Sequence, residues 1–186
     1  MSYSIGEISD LCIKAARGCG KPWGLAEEVG WAIRWLVRAG WPGPDRLALI
    51  LSGKDGVCPV TLGVAVADSG QVTLLDTAGS VAEPLLLLPF LSRLAPKGRA
   101  LRVSIEERPF RVTAFGTDVG MPIPISGAVR VTGDAAMPPT RPPHTRVEQI
   151  TPEAYEILNE MAARTYAPAS EMSRQRGAGA GLVDND

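Results

Sequence analysis

The spacing of the apolar residues changes along this chain from a helical to a strand period, which limits the folds open to it. Through residue 51 they recur at intervals of three and four, as on one face of an α-helix. From residue 60 several segments alternate between apolar and polar residues, as β-strands do. The two kinds of segment occur largely in separate blocks rather than in regular alternation. This order predicts an α+β fold with a mostly antiparallel sheet.

Three helices are predicted at the N-terminal end. Ser4 and Glu7 have the spacing of a capping box, which begins a first helix, and Gly18 is placed to end it. A second helix is expected to end near Ala39, and a short third one to run through Leu51. The chain is therefore expected to begin as packed helices.

About five strands and two further helices are expected after these. One helix should run from Val81 to about Leu94, because Ser80 and Glu83 repeat the capping-box spacing, and Pro89 should kink or split it. A final helix should begin after Thr151 and be followed by a glycine-rich tail. The expected strands are Val60–Ala67, Gln71–Asp76, Leu101–Glu107, Phe110–Phe115 and Ala128–Thr132.

Size and composition indicate one domain, residues 1–186, with an ordinary core. The chain has 186 residues, of which 45% are hydrophobic and 21% charged. Its 19 Lys and Arg are matched by 20 Asp and Glu, so the sequence lacks the excess of basic residues that is typical of nucleic-acid-binding proteins. No nucleic-acid partner is expected. Three cysteines without a Cys-x-x-Cys pair, and a single histidine, argue against a disulfide framework and a zinc site. We therefore predict no metal and no cofactor.

The expected location is the cytoplasm. The longest apolar stretch, Leu85–Leu91, contains Pro89 and is too short to span a bilayer. Glu7 and Asp10 lie near the N-terminus, where a signal peptide would have a basic start and an apolar run. No membrane association is expected.

A glycine-rich turn, Gly18–Gly24, is the first candidate site. Arg17 and Lys21 lie beside its backbone amides at the start of the second helix, so a carboxylate or phosphate could bind there. The alternative is a helix stop with two solvated cations. Glu27 could face back toward the turn as a general base, although dipole complementation also explains an acid at that position.

Cys19 lies within the same turn. Its neighbouring cations would lower the pKa of its thiol if the side chain is exposed, and His144 is the one histidine that could act as its base. The alternative, that a small residue simply fills the turn, is the favoured interpretation.

The C-terminal segment, residues 177–186, is the second candidate site. A Gly-Ala alternation is typical of a disordered tail, but it is followed here by two apolar residues and then by three acids and amides. Our hypothesis is a tail held in a cleft, where Arg174 and Arg176 grip an anion, Asn185 contacts the ligand and Asp184 serves as acid or base. Alternatively, the terminal acids pair with cations such as Arg17 and Lys21. A metal site is less favoured, since loop sites space their ligands.

Trp31 and Trp35 lie one helical turn apart, away from the main apolar stripe of the second helix. Exposed tryptophan pairs often mark association surfaces. Burial within one chain and a homodimer contact are therefore equally open.

Two segments carry a family resemblance. Residues 14–28, KAARGCGKPWGLAEE, and residues 165–186, which end in GAGAGLVDND, resemble a bacterial family of domains of unknown function. The likeness runs the full length of the chain and implies no activity. In that family alanine commonly stands at the position of Cys19, which implies that this thiol is not an obligatory nucleophile.

Two functions remain open from the sequence. The first is a small-molecule-binding or accessory protein with no chemistry of its own. The second is an enzyme acting on a small anionic metabolite where the 17–28 segment meets the 170–186 tail. Convergence of these two segments in space would favour the enzyme.

Overall fold

The fold combines a layer of helices with an antiparallel sheet. In this computed structural model the described residues are 3–53, 57–71, 75–77, 79–118, 122–138, 144, the backbone of 146–147, and 150–166. Within them the helices are α1 (Ile5–Gly18), α2 (Trp23–Arg38), α3 (Gly43–Leu51), α4 (Pro59–Ser69), a 3₁₀ helix (Pro84–Leu87), α5 (Leu88–Ser92) and α6 (Pro152–Ala163). The strands are β1 (Tyr3–Ser4), β2 (Val81–Ala82), β3 (Ala100–Ile105), β4 (Arg108–Thr113), β5 (Gly116–Thr117), β6 (Ser126–Gly127), β7 (Val129–Ala135) and β8 (Arg146–Val147). The predicted α+β class is confirmed.

Helix α1 begins with the predicted capping box. The backbone N–H of Ser4 donates to the Glu7 carboxylate at 2.7 Å, and the N–H of Glu7 donates to the Ser4 hydroxyl at 3.1 Å. Its buried face consists of Ile8, Ser9, Cys12, Ala15 and Ala16. This face packs against α2 and α6.

Gly18 makes the close approach of α1 to α6 sterically feasible. A Cβ atom added at this position would overlap the carbonyl oxygen of Met161. Thr151 caps α6 by accepting from the N–H of Ala154, as its sequence predicts, and it also donates its own N–H and hydroxyl to Asp45 at 3.0 and 2.7 Å. Asp45 belongs to α3, so the start of α6 is fixed to that helix.

The strand predicted at Val60–Ala67 is wrong, because this segment forms α4. Its buried residues, Pro59, Val60 and Gly63, follow helical spacing rather than alternation. A Cβ at Gly63 would overlap the ring of Phe90, so the glycine lets α4 pack tightly against α5. Tertiary packing therefore overrides the strand propensity of the valines. The strand predicted at Gln71–Asp76 falls partly outside the described residues, and Asp76 forms an isolated antiparallel bridge with Arg130.

The long helix predicted from Val81 to about Leu94 is also corrected. The segment begins as strand β2, passes through the 3₁₀ helix and ends as the short α5. Glu83 does not occupy the third position of an α-helix but adopts a left-handed backbone with φ of 47°. Its N–H donates to the carbonyl of Ile125 at 2.7 Å. The helical segment is split as expected near Pro89, which lies in the first turn of α5.

The largest sheet described has the strand order β5-β4-β3-β7, and all its pairs are antiparallel. The predicted hairpin is confirmed as β3 and β4, joined at Glu106 and Glu107, which both have positive φ. Two shorter pairs, β1 with β8 and β2 with β6, lie apart from it. The core-facing residues of the four-stranded sheet include Val103, Ile105 and Val131.

Trp31 and Trp35, the tryptophan pair on α2, both have partners within the chain. Trp35 is buried, and its indole N–H donates to the carbonyl of Ala114 at 3.0 Å. Trp31 packs against Phe90 with ring centres 5.8 Å apart, and the Arg93 guanidinium lies 3.7 Å from its ring centre. A homodimer contact through these residues stays a prediction. Over the described ranges, none of the helices combines the length and the apolar character needed to cross a bilayer.

Candidate functional site

Arg17, near the end of α1, donates a hydrogen bond to the backbone of the turn between α1 and α2. Arg17 donates to the carbonyl of Lys21 at 2.6 Å, and its guanidinium lies 5.5 Å from the ring centre of Trp23. Gly20 adopts a φ of 80°, which this tight turn requires. The structure thus places Arg17 and Lys21 on one turn, as predicted, but one guanidinium nitrogen is committed to the backbone. Anion binding at this turn stays a prediction.

Glu27 does face back toward the turn. Its carboxylate accepts from the indole N–H of Trp23 at 3.1 Å, and Trp23 itself is 61% exposed. Its neighbour Glu28 points elsewhere and pairs with Arg93 at 2.6 Å. The orientation expected of Glu27 is therefore present, and a role as general base stays a prediction.

Cys19 does not have the lowered pKa expected from its neighbouring cations. Burial raises the pKa of the Cys19 thiol, and the charges of Arg164 and Lys21 only partly offset this effect. Cys19 precedes α2, whereas His144 donates its backbone N–H to Arg38 at the far end of that helix. Because α2 has 16 residues, about 24 Å separate its ends. A Cys19–His144 pair is excluded.

Cys58 is the thiol with the environment that was expected of Cys19. It is half-buried at the N-cap position of α4. Burial acts to raise its pKa, but hydrogen bonds from Thr61 and from the Val60 N–H, together with the charge of Lys21, bring the pKa below its ordinary value. The signal that could have identified it is the Cys-Pro pair, since proline favours the first helical position.

Four of the predicted site residues, Arg174, Arg176, Asp184 and Asn185, lie outside the described residues, as does the tail that contains them. The residues that precede this tail are described up to Tyr166. Gly18 contacts Met161 and Arg164 at the end of α6, and Arg164 influences the pKa of Cys19. The end of α6 therefore lies beside the predicted turn.

A cleft of about 420 Å³ lies between α1 and α6. Tyr3 and Tyr155 form one of its walls, with rings stacked at a centre distance of 5.1 Å and an angle of 18°. Tyr166, which is 64% exposed, also lines it. The other lining residues are Glu7, Ile8, Asp10, Leu11, Lys14, Asn159 and Ala162.

The cleft combines aromatic walls with charges of both signs. Ile8 and Ala162 are buried beneath it, whereas Asp10 and Lys14 are exposed on α1. The pKa of the Tyr3 hydroxyl is raised by partial burial, by its contact and hydrogen bond with Tyr155, and by the nearby Glu7 carboxylate. Tyr3 therefore stays protonated at physiological pH, so its hydroxyl adds no negative charge to the cleft.

Sequence reasoning missed this cleft because its residues come from the two ends of the described chain. Tyr3 precedes α1, and Tyr155 belongs to α6. The helical repeat could have placed Asp10 and Lys14 on adjoining turns, but nothing local indicates that α6 lies beside them. Over the described residues, no group of three or more histidine, cysteine and acidic side chains is arranged to hold a metal ion.

Residues 3–73 match a protein family described as a protein of unknown function (DUF3726). The match supports the resemblance to a family of domains of unknown function. It includes residues 14–28 and ends before α6. Neither the curated proteins nor the solved structures contain a match to this chain.

Proposed function

We propose that this protein binds a small molecule in the cleft between α1 and α6. The observation that carries the proposal is a concave volume of about 420 Å³ bounded by aromatic rings and charged groups. This volume lies in the range of small-molecule sites, which typically hold about 300–1,000 Å³. The binding of small molecules by aromatic walls with a few polar groups is the common arrangement of such sites.

The stacked pair Tyr3 and Tyr155 makes the wall rigid before any ligand arrives. Their rings are stacked with centres 5.1 Å apart, so each ring limits the movement of the other. Tyr155 also belongs to α6, whose start is fixed by the bonds between Thr151 and Asp45. A preformed wall reduces the entropy lost when a ligand binds.

A cleft-filling substitution tests the proposal. Asn159 is exposed and lines the cleft, so Asn159→Trp should occupy the volume without disturbing the core. Glu156→Trp, an exposed position on the same helix outside the cleft lining, is the matched control. A library of metabolites and fragments is screened by thermal shift against all three proteins. We expect compounds that stabilise the wild type and Glu156→Trp but not Asn159→Trp, and stabilisation that survives Asn159→Trp would contradict the proposal.

The enzyme hypothesis remains an alternative. It requires Arg17, Lys21 and Glu27 to act with Arg174 and Asp184. The position of the end of α6 beside Gly18 is compatible with that convergence. Its test is a screen of carboxylates and phosphate esters against the wild type and Arg174→Ala/Arg176→Ala. Stabilisation unchanged in the double variant would exclude the anion-gripping role of these arginines.

A further inference from the structure

The charges of the cleft are ordered along one face of α1. Glu7 and Asp10 lie toward its beginning, and Lys14 lies further along the same helix. The four-residue step from Asp10 to Lys14 corresponds to a rise of about 6 Å. The cleft therefore has an acidic end and a basic end, separated by about one helical turn.

The ammonium of Lys14 is available to an anion. Lys14 is exposed, and its Nζ lies 5.9 Å from the ring centre of Tyr166, a distance at which a cation–π attraction is weak. Within the described part of the chain it forms no ion pair with a carboxylate. A ligand carboxylate could therefore bind it without displacing an internal partner.

The carboxylate of Asp10 is only loosely held. It lies 3.5 Å from Arg34, and the two side chains are 63% and 47% exposed. An exposed pair at that distance contributes little to stability, so the carboxylate can accept from a ligand ammonium. Glu7 adds negative charge to the same end, although one of its oxygens already accepts from the N–H of Ser4.

The aromatic walls of the cleft suit an apolar or aromatic body. Tyr155 and Tyr166 offer ring surfaces, and Leu11 is partly buried beside them. Aromatic rings pack favourably against other rings and against aliphatic chains. The ammonium and the carboxylate of an α-amino acid are attached to the same carbon. They can therefore bind Asp10 and Lys14 together while the side chain contacts the tyrosines.

We propose that the ligand of this cleft is a zwitterion of the amino-acid class with an apolar or aromatic side chain. Its ammonium donates to Asp10, its carboxylate accepts from Lys14, and its side chain packs on Tyr155. This inference rests on the proposed binding function and adds the chemical class of the ligand.

Three related probes test the two charged contacts separately. L-phenylalanine carries both charges, 2-phenylethylamine only the ammonium, and 3-phenylpropanoate only the carboxylate. Isothermal titration with the wild-type protein should show L-phenylalanine binding about tenfold more tightly than either single-charge probe, because each charged contact adds to the affinity. Asn159→Trp should abolish the binding of all three.

The variants assign each contact to its residue. Asp10→Asn should weaken L-phenylalanine and 2-phenylethylamine by about tenfold and leave 3-phenylpropanoate unchanged. Lys14→Gln should weaken L-phenylalanine and 3-phenylpropanoate and leave the amine unchanged. Glu156→Gln, an exposed acid outside the cleft lining, is the matched control and should change none of the three.

The possible failures are distinguishable. Equal affinities for the three probes, or no binding of L-phenylalanine at about 10 mM, would overturn the zwitterion proposal. If uncharged library compounds still bind and lose their binding in Asn159→Trp, the cleft is a ligand site of another chemical class and the proposed function stands. If Asn159→Trp leaves the binding of every compound intact, both proposals fail.

Discussion

The guanidinium of Arg46 donates a hydrogen bond of 2.7 Å to the carboxylate of Glu83, a side chain that is fully buried. Arg46 also donates to the carbonyl of Ile123 at 2.9 Å. The pair therefore connects α3 to the start of the 3₁₀ helix and to the segment before β6. Because the carboxylate is shielded from water, the interior can hold it only with strong compensation from a cation.

Replacing this cation should destabilise the protein strongly. In Arg46→Met the Glu83 carboxylate stays buried without the guanidinium that compensates its charge, so the free energy of unfolding should fall by roughly 3 kcal/mol. Urea denaturation followed by circular dichroism measures the change. Arg164→Met is the control, since Arg164 pairs with Glu160 on the exposed surface of the chain and should cost less than about 0.5 kcal/mol. Equal losses in the two variants would contradict the importance of the buried pair.

A methyl group at Gly18 should separate α1 from α6. Gly18→Ala places a Cβ against the Met161 carbonyl, which is backbone and cannot rotate away, so we expect a loss of about 2 kcal/mol in the free energy of unfolding. Gly24→Ala is the matched control in the same segment. A Cβ there has no atom within 4 Å, and its helical position should gain up to about 1 kcal/mol. Both are measured by urea denaturation, and an unchanged Gly18→Ala would show that the two helices are not in close contact.

The elements predicted correctly are those whose signals are local. Ser4 and Glu7 begin α1 by bonding to each other, and Thr151 begins α6 by bonding within its first turn. The hairpin of β3 and β4 likewise joins neighbouring segments. Such elements can be inferred from the sequence because the groups that stabilise them lie within a few residues of one another.

The elements predicted wrongly are fixed by distant partners. Gly63 lets α4 contact Phe90, and Glu83 leaves its expected capping position to pair with Arg46. The cleft has the same origin, since Tyr3 and Tyr155 meet only after α6 has packed on α1. A single sequence contains no local record of these contacts, so the period of its apolar residues predicts a strand at α4 and a long helix after Ser80, where packing produces other structures.

Removing Arg93 should uncover the ring of Trp31. The guanidinium covers that ring at 3.7 Å and is held by Glu28 at 2.6 Å, so Arg93→Ala should expose the indole to water. We expect a red shift of the tryptophan fluorescence and a loss of about 1 kcal/mol in the free energy of unfolding. Arg99→Ala removes an exposed pair with Asp134 and should leave the emission unchanged. An unshifted spectrum in Arg93→Ala would contradict the stacking.

The three cysteines should differ in their rate of alkylation because their thiol pKa values differ. Only the thiolate reacts, so a lower pKa gives a larger reactive fraction near neutral pH. Local bonds and the charge of Lys21 lower the pKa of Cys58, whereas burial raises the pKa of Cys19 and of the fully buried Cys12. With iodoacetamide, peptide mass spectrometry should show Cys58 modified first, then Cys19, and Cys12 only on unfolding.

The pH dependence and one substitution identify the cause of this order. As the pH rises, the alkylation rate of Cys58 should reach its half-maximum below 9.0, the ordinary value for a thiol, and that of Cys19 above it. Lys21→Gln removes a cation that favours both thiolates, so both profiles should move to higher pH, while Lys97→Gln on the exposed surface should move neither. A Cys19 that reacts as fast as Cys58 would contradict this assignment. The surroundings that favour the thiolate would then be those of the glycine-rich turn rather than those of the start of α4.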